Sequence, residues 1–298
     1  MNFNFLRYRK IYYLFSGILI LVSLFSLVFY RLNLGIDFTG GSILEVDFKN
    51  TRPSNQEIEQ KLSGLDLKLS PPQPAGDKGL ILRMRDINED THQEILKRLG
   101  SDIEEKRFET IGPIIGKELE QKTRIFAILV LVAIVLYIAF AFRKASRPVA
   151  SWQYGLVASL VAFFHDVLIP IGIFSLLGKF YSVQVTIPIF VGLLTILGYS
   201  VHDTIVVFDR IRENLSRRSD LTFEETVNNS LNQTLTRSVN TSLTALLVLI
   251  AIFFFGGETL KYFSLILILG ISLGTYSSIF IASPILVTWY KWRQRKNN

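Results

Sequence analysis

Six stretches of this sequence are apolar for long enough to cross a bilayer, which takes about 20 residues in a helix. They run from Ile11 to Tyr30, Ile125 to Phe142, Trp152 to Leu177, Val183 to Phe208, Val239 to Phe255 and Tyr262 to Tyr290. A backbone in hydrocarbon must satisfy its own N–H and C=O groups, so each run predicts a transmembrane helix. Of 298 residues, 49% are hydrophobic and 19% charged, a balance that excludes an ordinary soluble domain. The net charge of +7 does not point to nucleic acid, because Lys and Arg punctuate the apolar runs instead of gathering on one folded face. The absence of cysteine excludes disulfide and thiol chemistry.

Those cations set the expected topology, since short loops rich in Lys and Arg stay cytoplasmic. Arg7, Arg9 and Lys10 precede the first run, and Arg143, Lys144 and Arg147 link the second and third. Arg210, Arg212, Arg217 and Arg218 link the fourth and fifth, and Lys291, Arg293, Arg295 and Lys296 follow the sixth. The opposite short loops hold only Lys179 and Lys261, so both termini are expected in the cytoplasm. The first run is too long for a signal peptide and has no A-x-A site after it, which predicts an uncleaved anchor.

One polar block, residues 31–122, falls outside the cytoplasm in this topology. SILEVDF alternates like a strand after the turn-rich FTGG, and GLILRMR and EEKRFETI predict two more strands. Ser54 and Glu57 form a capping box at the start of EIEQKL, THQEILKRL is an amphipathic helix, and LSPPQPAGDKG is a loop. The block is therefore expected to be a small α+β domain, between a first helix in residues 1–30 and a five-helix bundle in residues 123–298. Pro113 suits a first helical turn, so the helix it opens runs straight into the second span and couples the domain to the membrane. In the last span Gly270, Gly274, Ser278 and Ala282 recur every fourth residue, a pattern that favours close packing inside the bundle over an oligomer seam. Pro284 is expected to bend that span.

Ionisable groups inside these spans are the candidate functional residues, because a charge there costs several kcal/mol. In the fourth span Thr195, Tyr199, Asp203 and Arg210 share a helical face, with His202 beside it. Arg237 opens the fifth, where Asn240, Thr241 and Thr244 share its face, and the third carries His165 and Asp166 ahead of Pro170. Pro170 lacks an N–H and so frees the Asp166 carbonyl four residues back. Burial disfavours a carboxyl's charged form and a guanidinium favours it, so small changes in the distance from Asp203 to Arg237 would move its proton affinity far. Such an acid could take a proton from one side and release it to the other, driven by about 2.3 kcal/mol per charge per 100 mV. Duller accounts remain open: a register-fixing ion pair for Asp203, backbone capping for Asp166, snorkelling for Arg237. His165 and His202 are helpers or packed polar residues, and no metal-ligand or cofactor spacing accompanies them. Two aspartates on neighbouring spans would suit an intramembrane aspartyl protease, but YSVHD stands where GxGD would fall, so no enzyme is predicted.

LGIDFTGGSILEV, IGPIIGKEL, FHDVLIPIGIFSL, GYSVHDTIVVFDRIREN and TLTRSVNTSLT, in this order, resemble the SecF-type members of the SecD/SecF family of the Sec protein-export machinery, relatives of the RND transporters. The resemblance implies six transmembrane helices in an RND-type half bundle and an extracytoplasmic domain that handles polypeptide leaving the SecYEG channel. It implies use of the proton-motive force after SecA-driven pushing. The family's intramembrane acid falls on Asp203 and its arginine on Arg237, with Asp166, Thr195, Tyr199 and His202 as the supporting polar track. His202 stands where the family more often has Asn. Implied partners are SecD, supplying the other half bundle, with SecYEG, YajC, YidC, the exported chain and membrane lipid, in a plasma (inner) or thylakoid membrane. The alternatives are a non-transporting assembly subunit and half of a small-molecule RND exporter, which usually has a larger outer domain and a second repeat.

Overall fold

A computed structural model describes residues 3–141, 151–217 and 220–297. Phe142, Arg143, Lys144, Arg147 and Arg218 of the patterns above lie outside the described residues. Within them, six helical stretches are long and apolar enough to cross a membrane. The chain divides into two compact units, one of Met1–Leu32, Phe126–Tyr181 and Pro188–Asn298, the other of Asn33–Ile125 and Ser182–Ile187.

A 3₁₀ turn, Phe5–Tyr8, leads into the first span, α1 (Arg9–Tyr30). The second unit then follows with α2 (Ile36–Thr39), β1 (Gly41–Phe48), α3 (Asn55–Lys61), β2 (Gln73–Ala75), β3 (Gly79–Met84), α4 (Glu89–Leu99) and β4 (Ile103–Ile111). Its four strands are antiparallel in the order β2-β3-β1-β4, with a bulge between Glu45 and Val46 where β1 meets β4. Alternation puts Leu44, Val46 and Phe48 with Leu80, Leu82 and Met84 on one sheet face, against Ile58 and Leu62 around α3 and Ile95 and Leu99 of α4. The capping box closes as expected: Ser54 Oγ accepts the Glu57 N–H at 3.3 Å, and Glu57 Oε2 accepts the Ser54 N–H at 3.2 Å. The LSPPQPAGDKG stretch holds more than a loop, since β2 lies within it. Pro74 is tolerated there because β2 is an edge strand, where a missing N–H donor costs no ladder bond.

The helix opened by Pro113 is continuous, α5 (Pro113–Ala141). The third span is α6 (Ser151–Val161), a π segment (Ala162–Val167) and α7 (Leu168–Tyr181); the sixth is α10 (Gly257–Ser277), a π segment (Ser278–Ala282) and α11 (Ser283–Asn297). Between these come α8 (Ile187–Arg217) and α9 (Phe223–Phe255). The helix of the fourth span starts at Ile187, four residues after its apolar run, because the preceding residues extend and join the sheet unit. Helix α9 starts far ahead of its apolar run, at a second capping box in which Glu225 Oε2 accepts the Thr222 N–H at 2.9 Å.

Small residues set the close approaches in the membrane unit. Ser26 Oγ donates to the Gly172 carbonyl at 3.2 Å and Ser175 Oγ to the Ser26 carbonyl at 3.0 Å, fastening α1 to α7. Gly270 of α10 lies against Ile196 of α8, and Gly274 against Ser200, so this four-residue pattern serves internal packing. At one end of the unit Arg9 and Lys291 share the carboxylate of Glu224, the first at 3.1 Å. The beginning of α1 and the end of α11 therefore lie on the same side.

Candidate functional site

Both interruptions in the helical spans have a proline behind them. Pro170 and Pro284 each lack the N–H that would bond the carbonyl four residues back, at Asp166 and Phe280, and the backbone widens to a π turn just there. In the second π turn Ser283 Oγ donates to the Ser278 carbonyl at 3.0 Å, which satisfies one of the loosened groups. Widening also turns side chains inward that a regular helix would aim elsewhere. His165 and Asp166 stand on the first π segment and Ser278 on the second.

Asp166 is fully buried and has three side-chain hydrogen-bond partners. Its Oδ2 receives Ser277 Oγ at 2.7 Å and also the Ser200 hydroxyl, while its Oδ1 pairs with His165 Nδ1 at 2.7 Å. The other ring nitrogen of His165 meets Ser16 Oγ at 3.0 Å, and the ring stacks on Tyr276 at 5.6 Å between centroids. Three helical spans thus meet at one carboxyl group, and α1 joins them through Ser16 and His165. Hydrogen bonds to a carboxylate are the strong kind, and this set allows a buried acid without an arginine.

Asp203 of α8 occupies a separate position. Its Oδ2 accepts Ser278 Oγ at 2.5 Å, and the buried Ser238 hydroxyl of α9 lies beside it. With 8% of its surface exposed, against 0% for Asp166, Asp203 keeps an edge open to its surroundings. The two acids accept from different serines of the last span, Asp166 from Ser277 and Asp203 from Ser278.

The remaining candidates spread outward. Tyr199 is half-buried, its hydroxyl 3.5 Å from Ser242 Oγ, which in turn lies 2.5 Å from Thr275 Oγ1. Thr195 and His202 are exposed on α8, and Thr195 Oγ1 donates to its own helix at the Val191 carbonyl, 2.9 Å away. Arg237 is exposed on α9, and among the described residues it forms no ion pair with Asp203. Asn240, Thr241 and Thr244 are exposed with it. Helices α8 and α9 do touch, through Arg210 Nε to Gln233 Oε1 at 2.6 Å and Asn214 Nδ2 to Ser230 Oγ at 2.8 Å. The serines at 16, 200, 277 and 278 were not candidates from the sequence. Small hydroxyl residues in an apolar span resemble packing residues, and only the positions of Ser277 and Ser278 beside a proline-bearing turn hint at more.

Comparison with known proteins gives a consistent set of likenesses. Residues 91–292 match the family model described as protein export membrane protein SecD/SecF, C-terminal, and residues 25–51 match the SecD/SecF GG motif. The chain is 41% identical to the protein translocase subunit SecF of Thermobaculum terrenum, covering 95% of this chain and 92% of that one. It is 34% identical to that of Synechocystis, covering 100% and 97%. The crystal structure of SecDF from Thermus thermophilus, a translocon-associated membrane protein, superposes with a TM-score of 0.84 at 32% identity, over 98% of this chain and 39% of that one. This chain thus spans about two fifths of the SecDF polypeptide.

Proposed function

The chain belongs to the SecD/SecF family of protein-export membrane proteins, and we propose that it is an accessory subunit of the Sec translocase which, with a SecD chain, couples proton movement to late export. Asp203 is the group that binds and releases the proton. Asp166, held by His165 and the serines, is the fixed acid behind it, and Tyr199, Thr195 and His202 line the way. Arg237 is the moving charge partner, whose approach favours the ionised form of Asp203 and whose retreat favours the neutral one. The observation that carries this is the separation of the two acids onto neighbouring hydroxyl donors, Ser277 at the end of α10 and Ser278 at the start of the π segment. A loosened backbone turn is an element that can change shape when one of its acids changes charge.

Both termini are cytoplasmic and residues 31–122 lie on the outer face, where that domain meets the exported polypeptide from the SecYEG channel. The basic ends of α1 and α11, gathered at Glu224, support a common side for the termini. YajC and YidC are further partners of the assembled machine. The role is that of a transport subunit, without catalysis of its own.

Asp203→Asn tests the proposal in vesicles that contain this chain, a SecD chain and the channel. Proton-dependent export should be lost while the amount of complex is unchanged. A second reading, an assembly subunit, is favoured by the exposed Arg237, Asn240, Thr241 and Thr244 face of α9, which suits a partner helix. Loss of the complex in Asp203→Asn would support assembly; an intact complex that exports normally would overturn the proton role.

A further inference from the structure

The segment between α7 and α8 does not behave as a loop. Ser182 to Ile187 lies in the sheet unit, where Val185 forms a parallel bridge with Leu34. The Gly35 N–H donates to the Val185 carbonyl at 2.8 Å and the Val185 N–H to the Asn33 carbonyl at 2.7 Å. Gln73 Nε2 and Asn33 Nδ2 donate to the Ser182 carbonyl at 2.9 and 3.3 Å. The segment ends at the first residue of α8, whose N–H has no acceptor within its own helix. Asp37 supplies one: its Oδ2 accepts the Ile187 N–H at 2.9 Å.

The glycines around Asp37 make room for a second helix. Gly40, at φ +73°, would bring a Cβ to 2.8 Å from Pro113 Cα, and a Cβ on Gly116 would come to 2.7 Å from Gly40 N. Pro113 and Gly116 form the first turn of α5. On the other side a Cβ on Gly35 would reach 3.0 Å from Thr186 Cγ2. A stretch of seven residues, Gly35 to Gly41, therefore holds the first turn of α5 and the first residue of α8, and continues directly into β1.

We propose that Gly35–Gly41 is the joint through which the outer domain is coupled to the helix bearing Asp203, with Asp37 as the positioning residue that fixes the start of that helix. This rests on the proton-coupling function above. Helix α8 runs unbroken from Ile187 through Asp203, so a rotation or shift of the helix is delivered at its first turn. Asp37 and the Val185 bridge carry that displacement into β1.

The test uses the chain with its SecD partner and the channel in vesicles. Asp37→Ala should keep proton movement but lower export about fivefold or more, an uncoupling that mere misfolding does not give. Its Ile187 amide should exchange hydrogen about tenfold faster, because its opening no longer breaks a capping bond. Asp37→Asn, which keeps an oxygen acceptor, should restore both. Unchanged exchange at Ile187, or proton movement and export lost together, would overturn the proposal. Since the chain lacks cysteine, a Leu34→Cys, Val185→Cys pair gives one defined crosslink. A crosslinked joint should still export; a block would show that the bridge must part, and would also overturn it. If Asp203→Asn exports normally, the proton reading fails, while the Ile187 exchange still decides whether Asp37 holds the helix.

Discussion

Ser277 and Ser278 are neighbours in the chain, yet their hydroxyls serve different acids: Ser277 donates to Asp166 at 2.7 Å and Ser278 to Asp203 at 2.5 Å. Successive residues of a regular helix point about 100° apart, and the π turn that begins at Ser278 places this divergence between the two carboxyls. A change at one acid therefore meets the other through a single peptide unit.

Ser278→Ala removes the hydroxyl donor of Asp203 without touching Asp166. Unpairing a buried carboxylate costs about 1–3 kcal/mol, so proton-dependent export should slow by roughly tenfold or more. Ser278→Thr keeps the hydroxyl and should retain most of the activity. Export assayed in vesicles after SecA has been inhibited isolates this step; equal rates for Ala and wild type would remove Ser278 from the site.

His165 is bonded at both ring nitrogens, to Asp166 and Ser16, and it is 2% exposed. His165→Leu leaves Asp166 Oδ1 without its ring partner and Ser16 Oγ with only the Tyr276 hydroxyl, 3.5 Å away. The membrane unit should lose about 2–4 kcal/mol of stability, read as a lower unfolding temperature in detergent. An unchanged midpoint would mean that water replaces the ring.

Two glycines in the spans should respond oppositely. Any side chain at Gly172 runs into the Ser23 backbone of α1, whereas a Cβ at Gly17 meets nothing within 4 Å. Gly172→Val should part α1 from α7 and lower the amount of folded protein in the membrane. Gly17→Ala should leave it unchanged or raise stability by up to about 1 kcal/mol, the helix preference of alanine over glycine.

In the sheet domain Ile95 is fully buried between α4 and the sheet. Ile95→Ala should cost about 2–5 kcal/mol, while Ser54→Ala, at an exposed cap, should cost about 1 kcal/mol. Hydrogen exchange of β1 and β3 amides in the full chain separates the two, since only the core change should accelerate exchange across the whole sheet.

Much of this architecture was legible because long-range hydrophobic patterning is strong in a membrane chain. The runs around Ile11–Tyr30 and Tyr262–Tyr290 marked helices, and Ser54 with Glu57 marked a helix start to the residue. What stayed hidden depends on contacts between distant segments. Val183 to Thr186 is apolar enough to pass for helix, and only pairing with Leu34 draws it into a strand-like path. Pro170 announced a freed carbonyl, but not that the relaxed turn would deliver Asp166 to Ser200 and Ser277. Spacing put Thr195 and Asp203 on one face of α8 but did not reveal that Asp203 is buried against Ser278 while Thr195 stays exposed.

Helix α9 is only 11% buried over its most apolar stretch, and its uncovered surface includes Arg237, Asn240, Thr241 and Thr244. Hydrocarbon is a poor neighbour for that surface, which calls for a polar or protein neighbour within the membrane.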